Sequence, residues 1–227
     1  MSKIIKMPSL QEQVYSYLKK AIVNGEMELG QVYSEQWVAD LLGVSRTPVR
    51  EAILQLKQES LLEILPYKGF IVKPLSLDEV KETFQIRQAL EGFCVIMIAQ
   101  QHQDPLVAKL LAQLNDYLEE QSNLTGDHNV YEFMELDELY HRDIINFAGN
   151  ERLISTYNEI RSRFQRITVK ALKEPGRMED TVREHLDILV KMKDGHPWEA
   201  YQTMALHLNS TQKIMESKTI SNPPKSG

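Results

Sequence analysis

The chain has 227 residues, 42% of them hydrophobic, and sets 26 Lys and Arg against 32 Asp and Glu for a formal net charge of −6. That is apolar material enough for one large domain or two of ordinary size, and the acid excess excludes a protein that coats nucleic acid indiscriminately. The charge is uneven, nine basic against eight acidic side chains in residues 1–75 and 17 against 24 in residues 76–227, so only the first third can approach a phosphate backbone, and there by local positive charge.

Residues 1–9 read as a flexible lead. No charged-then-apolar signal segment opens the chain, and the expected compartment is the cytoplasm. A first helix follows, with Leu10, Val14, Tyr17, Leu18, Ala21 and Ile22 on one stripe and Asn24-Gly25 as its stop. Glu26 to Val32 reads as a turn. Ser34 is a natural cap for a second helix, Glu35 to Leu42, which buries Val38, Ala39 and Leu42 and ends at Gly43. The third helix carries Val49, Ala52, Ile53 and Leu56 at i, i+3, i+4, i+7, so one stripe faces a core and the other side is free to read something. Arg50 lies about 100° round from Val49, Thr47 nearly opposite it, and Arg46 projects from the first turn. Either Ser45 or Thr47 can cap this helix, with Pro48 in its first turn, leaving amide groups free for a phosphate. After Glu59-Ser60 the period becomes extended: Leu61 to Leu65, a Pro66-Tyr67-Lys68-Gly69 turn, then Phe70 to Lys73, a hairpin in which Gly69 supplies the unusual backbone angles.

Three helices and a two-stranded hairpin in that order make a winged helix-turn-helix. Residues 10–74 resemble the N-terminal domain of the GntR family of bacterial transcription regulators, through Gly25 and Gly30, Ser34-Glu35, the run Gly43-Val44-Ser45-Arg46-Thr47-Pro48-Val49-Arg50-Glu51-Ala52, and the Gly69 wing. The resemblance implies binding to double-stranded DNA, with Arg46 and Arg50 reading bases, Ser45 and Thr47 holding phosphates, Ser34 at the same face, and Lys68 with Gly69 approaching the minor groove. Many members carry a basic residue where this chain has Gln36, which changes any contact from the second helix. A bidentate Arg–guanine contact contributes ~1–3 kcal/mol of discrimination, so losing either arginine should abolish specific binding.

Residues 75–77 form a hinge, and everything after reads as helix: near 78–101, 105–122, 129–148, 150–172, 178–194 and 197–217, separated by Asp104-Pro105, Gly126, Gly149-Asn150, Pro175-Gly176 and Gly195 to Pro197. The first holds the longest apolar run, Phe93 to Ala99, far short of the roughly 20 residues that span a bilayer. It also holds Cys94, the only cysteine, so no internal disulfide is possible. Residues 218–227, with Pro223-Pro224, read as a disordered tail. The fold class is mainly α, a winged helix followed by an antiparallel helical bundle.

Polar residues break the apolar stripes of that bundle. Val130, Phe133, Met134, Tyr140, Ile144, Ile145 and Ala148 define a buried face that includes Asp137 and His141, four apart and therefore neighbours. Val182, Leu186 and Leu189 share a face with His185, and Ala200, Met204, Leu208, Thr211 and Met215 share one with His207. His102, His128 and His196 fall at helix ends or loops. A carboxylate and three imidazoles are costly to bury unless something shared satisfies them, and a divalent metal does so: zinc first, with nickel, manganese or iron as alternatives.

Residues 76–217 resemble the FCD ligand-binding domain that follows the winged helix in the FadR-type branch of the GntR family. In its metal-binding members an Asp and a His one turn apart on one helix join one His on each of two later helices, and Asp137, His141, His185 and His207 match that order. The family's Arg on the first helix of this domain is matched by Arg87, which either pairs with Glu91 along its own helix or clamps a ligand carboxylate. Arg161 and Asn209 are further candidates for the pocket lining. The leading expectation is a homodimeric regulator on a short palindrome, its operator binding controlled by a small organic acid held between metal and Arg87, with repression relieved by ligand as the commoner outcome in similar proteins. Two alternatives stand beside it: a metal-dependent hydrolase fused to a DNA-binding module, opposed by the lack of a His-Asp dipeptide and of a spare general base, and a regulator for which the metal is itself the signal. No membrane partner is expected.

Overall fold

The computed structural model describes residues 8–74, 76–126 and 129–221. The chain divides into two compact units after Pro74. In the first, α1 (Leu10–Asn24) opens on a capping box between Ser9 and Glu12, β1 is Val32–Tyr33, α2 (Glu35–Leu42) is capped by the Ser34 hydroxyl accepting from the Trp37 amide, α3 is Arg46–Gln58, and β2 (Leu62–Leu65) and β3 (Gly69–Val72) form the wing. Val14, Leu18, Ile22, Val38, Val49, Ala52, Ile53, Leu56, Leu61, Phe70 and Val72 close over one core. Each large side chain buried there contributes about 1.5–3 kcal/mol. The predicted α3 stripe is the buried one. On α1 the stripe is narrower than its sequence suggests: Leu10 and Tyr17 are 55% and 44% exposed, because they stand at one edge of the arc centred on Val14, Leu18 and Ala21.

The wing was expected to have two strands, and among the described residues the sheet has three, ordered β1-β3-β2 and antiparallel throughout. Val32 pairs with Ile71 and Tyr33 with Phe70. Two residues are too few to show an alternating pattern, so β1 disappears into what reads as a turn. Its presence explains Gly69: a Cβ there would run into the Tyr33 carbonyl. Gly69 also has the unusual backbone angle expected of it, φ 120°, and Tyr67 adds a left-handed position in the same turn at φ 62°.

Among the described residues the second unit has six helices: α4 (Leu77–Gln100), α5 (Pro105–Leu124), α6 (Val130–Phe147), α7 (Glu151–Leu172), α8 (Arg177–Lys193) and α9 (Pro197–Ser221). The breaks read from the sequence are the breaks observed, and their chemistry is local. Asp104 accepts from the Leu106 amide with Pro105 in the first helical turn, and Asn150 accepts from the amides of Arg152 and Leu153. One end differs: α9 continues through Lys218 to Ser221, where a tail was expected from 218; residues 222–227 lie outside the described residues, as do 1–7 of the expected lead. On α8 the buried face is Thr181, His185, Ile188, Leu189 and Met192, so Leu186, expected inside, is 45% exposed. Helices α4 and α9 approach closely at Gly92, where a Cβ would strike the Tyr201 ring. Around this contact Phe84, Cys94, Ile98, Leu114, Tyr140, Ile144, Phe164, Ile188, Met204 and Leu208 form the core. Burial there pushes the Cys94 thiol up to about 12.

Candidate metal centre and DNA-reading face

Helix α3 begins directly after Ser45, whose hydroxyl makes no capping bond to its own helix. Arg46, Thr47 and Arg50 project into solvent from the first turns while Val49 and Ala52 go fully inside. The two arginines do not stand free. Arg50 donates through Nε (3.0 Å) and Nη2 (2.9 Å) to the two carboxylate oxygens of Glu35, and Arg46 Nη2 donates to Glu35 Oε2 at 3.0 Å. Hydrogen bonding from Arg50, ahead of that from Arg46, holds the Glu35 carboxyl below its ordinary range. Glu35 was legible in the family motif, but nothing in its spacing marked it as the partner of both readers. Ser34 is engaged as the α2 cap, and Gln36 donates along its own helix to Asp40 at 2.7 Å. In the wing, Lys68 is exposed beside Gly69, and Tyr67 projects fully into solvent at the turn. A left-handed, solvent-facing tyrosine leaves no trace in a periodicity pattern.

In the second unit α6 carries Asp137 and His141 one turn apart, α8 carries His185 and α9 carries His207. All four are buried, and one donor atom from each lies within 4.8 Å of the others. The Nε2 atoms of His141, His185 and His207 form a triangle with every edge 3.2 Å. Asp137 closes it, Oδ1 3.7 Å from His185 Nε2 and Oδ2 4.0 Å from His141 Nε2. These are the four residues that the interruption of apolar stripes singled out.

Two carboxylates that the sequence reading did not place in the site orient the rings. Glu91 Oε2 lies 2.6 Å from His141 Nδ1, and Glu184 Oε2 lies 2.8 Å from His207 Nδ1. At His207 the hydrogen-bonded carboxylate keeps the proton on Nδ1 and turns the Nε2 lone pair inward, and at His141 the Glu91 carboxylate lies on the Nδ1 side of the ring, opposite the Nε2 that meets the other two. Burial opposes ionisation of both acids, but Arg87 and His141 outweigh it at Glu91, and His207 and Arg177 at Glu184, so each carboxyl is held down at about 2. His185 is oriented differently: its ring stacks on Tyr140 at 4.2 Å, and the Tyr140 hydroxyl donates to the His185 carbonyl at 2.9 Å. Burial, reinforced by the neighbouring imidazoles, keeps His185 well below its ordinary range, and burial lowers His207 too. His185 and His207 are thus held neutral where they face His141. With the His207 Nε2 lone pair turned inward by Glu184, and Glu91 on the Nδ1 side of His141, ring protons alone do not satisfy all three edges of the triangle. A cation can. Bonds of about 2.1 Å to edges of this length subtend roughly 100°, close to the angle between neighbouring ligands of a divalent zinc-type centre.

Of the expected effector residues, Arg87 joins this network. It is buried, donates to Glu91 from Nε at 2.6 Å, and lies over the Phe164 ring at 4.6 Å. Arg161 reaches inward only to Glu138, at 2.6 Å. Asn209 is half-buried and, two residues past His207, lies about 200° round α9 from it, so the structure does not bring it to the quartet. Buried polar atoms without a protein partner gather between α6 and α7: Glu138 Oε1, the Tyr157 hydroxyl, Gln165 Oε1 and Arg161 Nε.

A winged helix with paired arginines on its third helix, and a separate all-helical unit with a buried His3Asp centre, define a two-domain DNA-binding regulator. Comparison with known proteins is consistent at both ends: residues 10–72 match the model of the bacterial regulatory proteins of the gntR family, and residues 82–210 match that of the FCD domain. The chain belongs to the GntR family, in the FadR-type branch that carries an FCD domain. It is similar to the HTH-type transcriptional repressor RspR of Escherichia coli, 29% identical over 208 residues covering 91% of this chain and 87% of that one. It is also similar to the regulator YdhC of Bacillus subtilis, 28% identical over 197 residues and 87% of each. In fold it matches E. coli McbR/YncC, with a TM-score of 0.76 and 22% identity over 93% of this chain and 99% of that one. RspR and YdhC are named as transcriptional repressor and regulator, and the chain is a DNA-binding regulator of the same family. Among the described residues, no helix is long and apolar enough to cross a membrane.

Proposed function

We propose that the chain is a ligand-responsive transcription regulator in which Asp137, His141, His185 and His207 hold a divalent metal, zinc first among the candidates, and a small organic acid bound beside it controls operator binding. The observation that carries this reading is the 3.2 Å triangle of imidazole nitrogens, with a carboxylate on the Nδ1 side of two of the rings. Four protein ligands leave coordination positions for a ligand oxygen on a metal that accepts five or six. When bound, the cation supplies positive charge for an anionic metabolite. Arg87 contributes a second positive group, held in place by Glu91 and Phe164. Arg161 and the orphaned polar atoms of α6 and α7 supply polar lining, and Asn209 has the weakest support of the three effector candidates.

In the first unit Arg46 and Arg50 read base edges, Ser45 and Thr47 hold phosphates, Ser34 flanks them at the α2 terminus, and Lys68 with Gly69 follows the minor groove. The protein acts as a homodimer on a short palindrome, and a relative of repressor name supports repression as its mode. The test is a thermal-shift panel of small carboxylates against metal-loaded protein, repeated with Arg87→Ala. Binding to the folded state raises Tm, by ~2.7 kcal/mol of stabilisation at one hundred times Kd. A carboxylate that stabilises the wild type and not the variant supports the reading. If no carboxylate stabilises the wild type, or the substitution leaves the shift intact, the effector site as drawn is wrong.

A further inference from the structure

The reading face contains a contradiction that its sequence does not resolve. Two arginines offered to DNA, 57% and 58% exposed at their side chains, are both bonded to one carboxylate of their own domain. An acid at that point lowers the attraction for phosphate, and long side chains pay rotamer freedom to hold a fixed geometry. Neither cost is offset by stability, since ion pairs this exposed contribute little.

The donor count shows what the arrangement allows. A guanidinium has five N–H groups. Arg50 gives two of them to Glu35, one from Nε and one from Nη2, and Arg46 gives one from Nη2. Three and four remain, and a guanine edge takes two. Both arginines can therefore keep Glu35 and still each grip a base. Glu35 is held in turn: it is the first residue of α2, directly after the Ser34 cap, so its backbone is set by a helix terminus. The carboxylate brings two like charges to one point, one turn apart on α3, and presents their remaining donors in a single orientation.

We infer that Glu35 is a specificity-determining residue, which fixes Arg46 and Arg50 in their base-reading orientation and penalises sequence-independent phosphate contact. A phosphate met at an arbitrary sequence gains less from an arginine whose charge Glu35 already balances, whereas a matching base edge takes the remaining donors in the orientation that Glu35 fixes. The inference rests on the base-reading assignment above, and its test separates the two.

A duplex enriched from a random-sequence pool by the wild-type chain is compared with a scrambled duplex of the same length and composition, across a salt series. Glu35→Gln is expected to raise affinity for the scrambled duplex about threefold or more, steepen the salt dependence by about one phosphate contact, and reduce the ratio of selected to scrambled affinity about tenfold. Glu35→Asp keeps the charge but shortens the reach, and should keep the wild-type salt slope while still losing discrimination. Thermal unfolding of both variants guards against a fold defect, and binding is compared at equal folded fraction. If Glu35→Gln keeps the wild-type ratio within twofold, or Glu35→Asp keeps full discrimination, the inference is overturned. If Arg50→Ala keeps wild-type discrimination, the base-reading assignment itself falls. Loss in Arg50→Ala with retention in Glu35→Gln removes only the role given to Glu35.

Discussion

The two domains use one device in two dielectric settings. On the winged helix a carboxylate, Glu35, gathers two arginines in water. In the bundle, Glu91 joins Arg87 to His141, and Glu184 joins Arg177 to His207, with Arg87, Glu91 and both histidines at most 3% exposed. At the surface such a group contributes orientation and almost no stability. In the interior the same group cannot be removed without stranding charge. Function by exposed charge is therefore separable from folding in the first unit and inseparable from it in the second.

The sharpest way to break that contrast is Glu91→Ala. It leaves the Arg87 guanidinium buried without its partner, and the expected cost is about 3–5 kcal/mol, a fall of roughly 10 °C in the Tm of the metal-free protein. A variant as stable as the wild type would mean that the interior pair is not the anchor described. Glu184→Gln is milder, because Glu184 is partly exposed: the fold should survive and metal affinity, followed by competition with a chelator, should weaken about 10- to 100-fold, the usual cost of losing a group that orients a ligand. His185→Ala, in contrast, should abolish metal-dependent stabilisation outright.

Acid probes the same contrast more gently. His185 and His207 have folded pKa values below 6.5, so the unfolded chain binds more protons and metal-free stability falls as pH drops below about 6.5. Glu91 and Glu184, depressed to about 2, contribute stability that is complete above about 4.5 and is lost as pH falls further towards 2. Thermal unfolding in chelator between pH 8 and 3 should show two successive declines, and a profile flat down to pH 5 would contradict the burial of neutral imidazoles. The smallest effect belongs to the surface: Glu35→Gln should leave Tm almost where it was.

How much of this was legible depended on contrast within each helix. Asp137, His141, His185 and His207 stood out because each interrupts an apolar stripe, and all four converge. Glu184 escaped because its neighbour in sequence was the residue on the stripe, and a glutamate about 100° away reads as surface. Glu91 was visible only as a partner for Arg87. Helix α4 buries Phe84, Val95 and Ile98 and still exposes Phe93, so neither face announces what is inside. The α8 face was misjudged at Leu186 for a related reason, since Thr181 and Met192 complete the true stripe and a polar or flexible residue weakens the signal. In the first unit the glycines and the α3 stripe carried the fold, while β1 was too short to register and the Glu35 bridge joins residues 11 and 15 positions apart.

The buried thiol of Cys94 makes the protein its own clock. With no second cysteine, an alkylating reagent can mark each molecule once, and only after the helices around Ile98 and Met204 part. The labelling rate then counts excursions of the bundle, so any metal or small molecule that tightens it would register as a slowing of one chemical reaction at one sulfur atom.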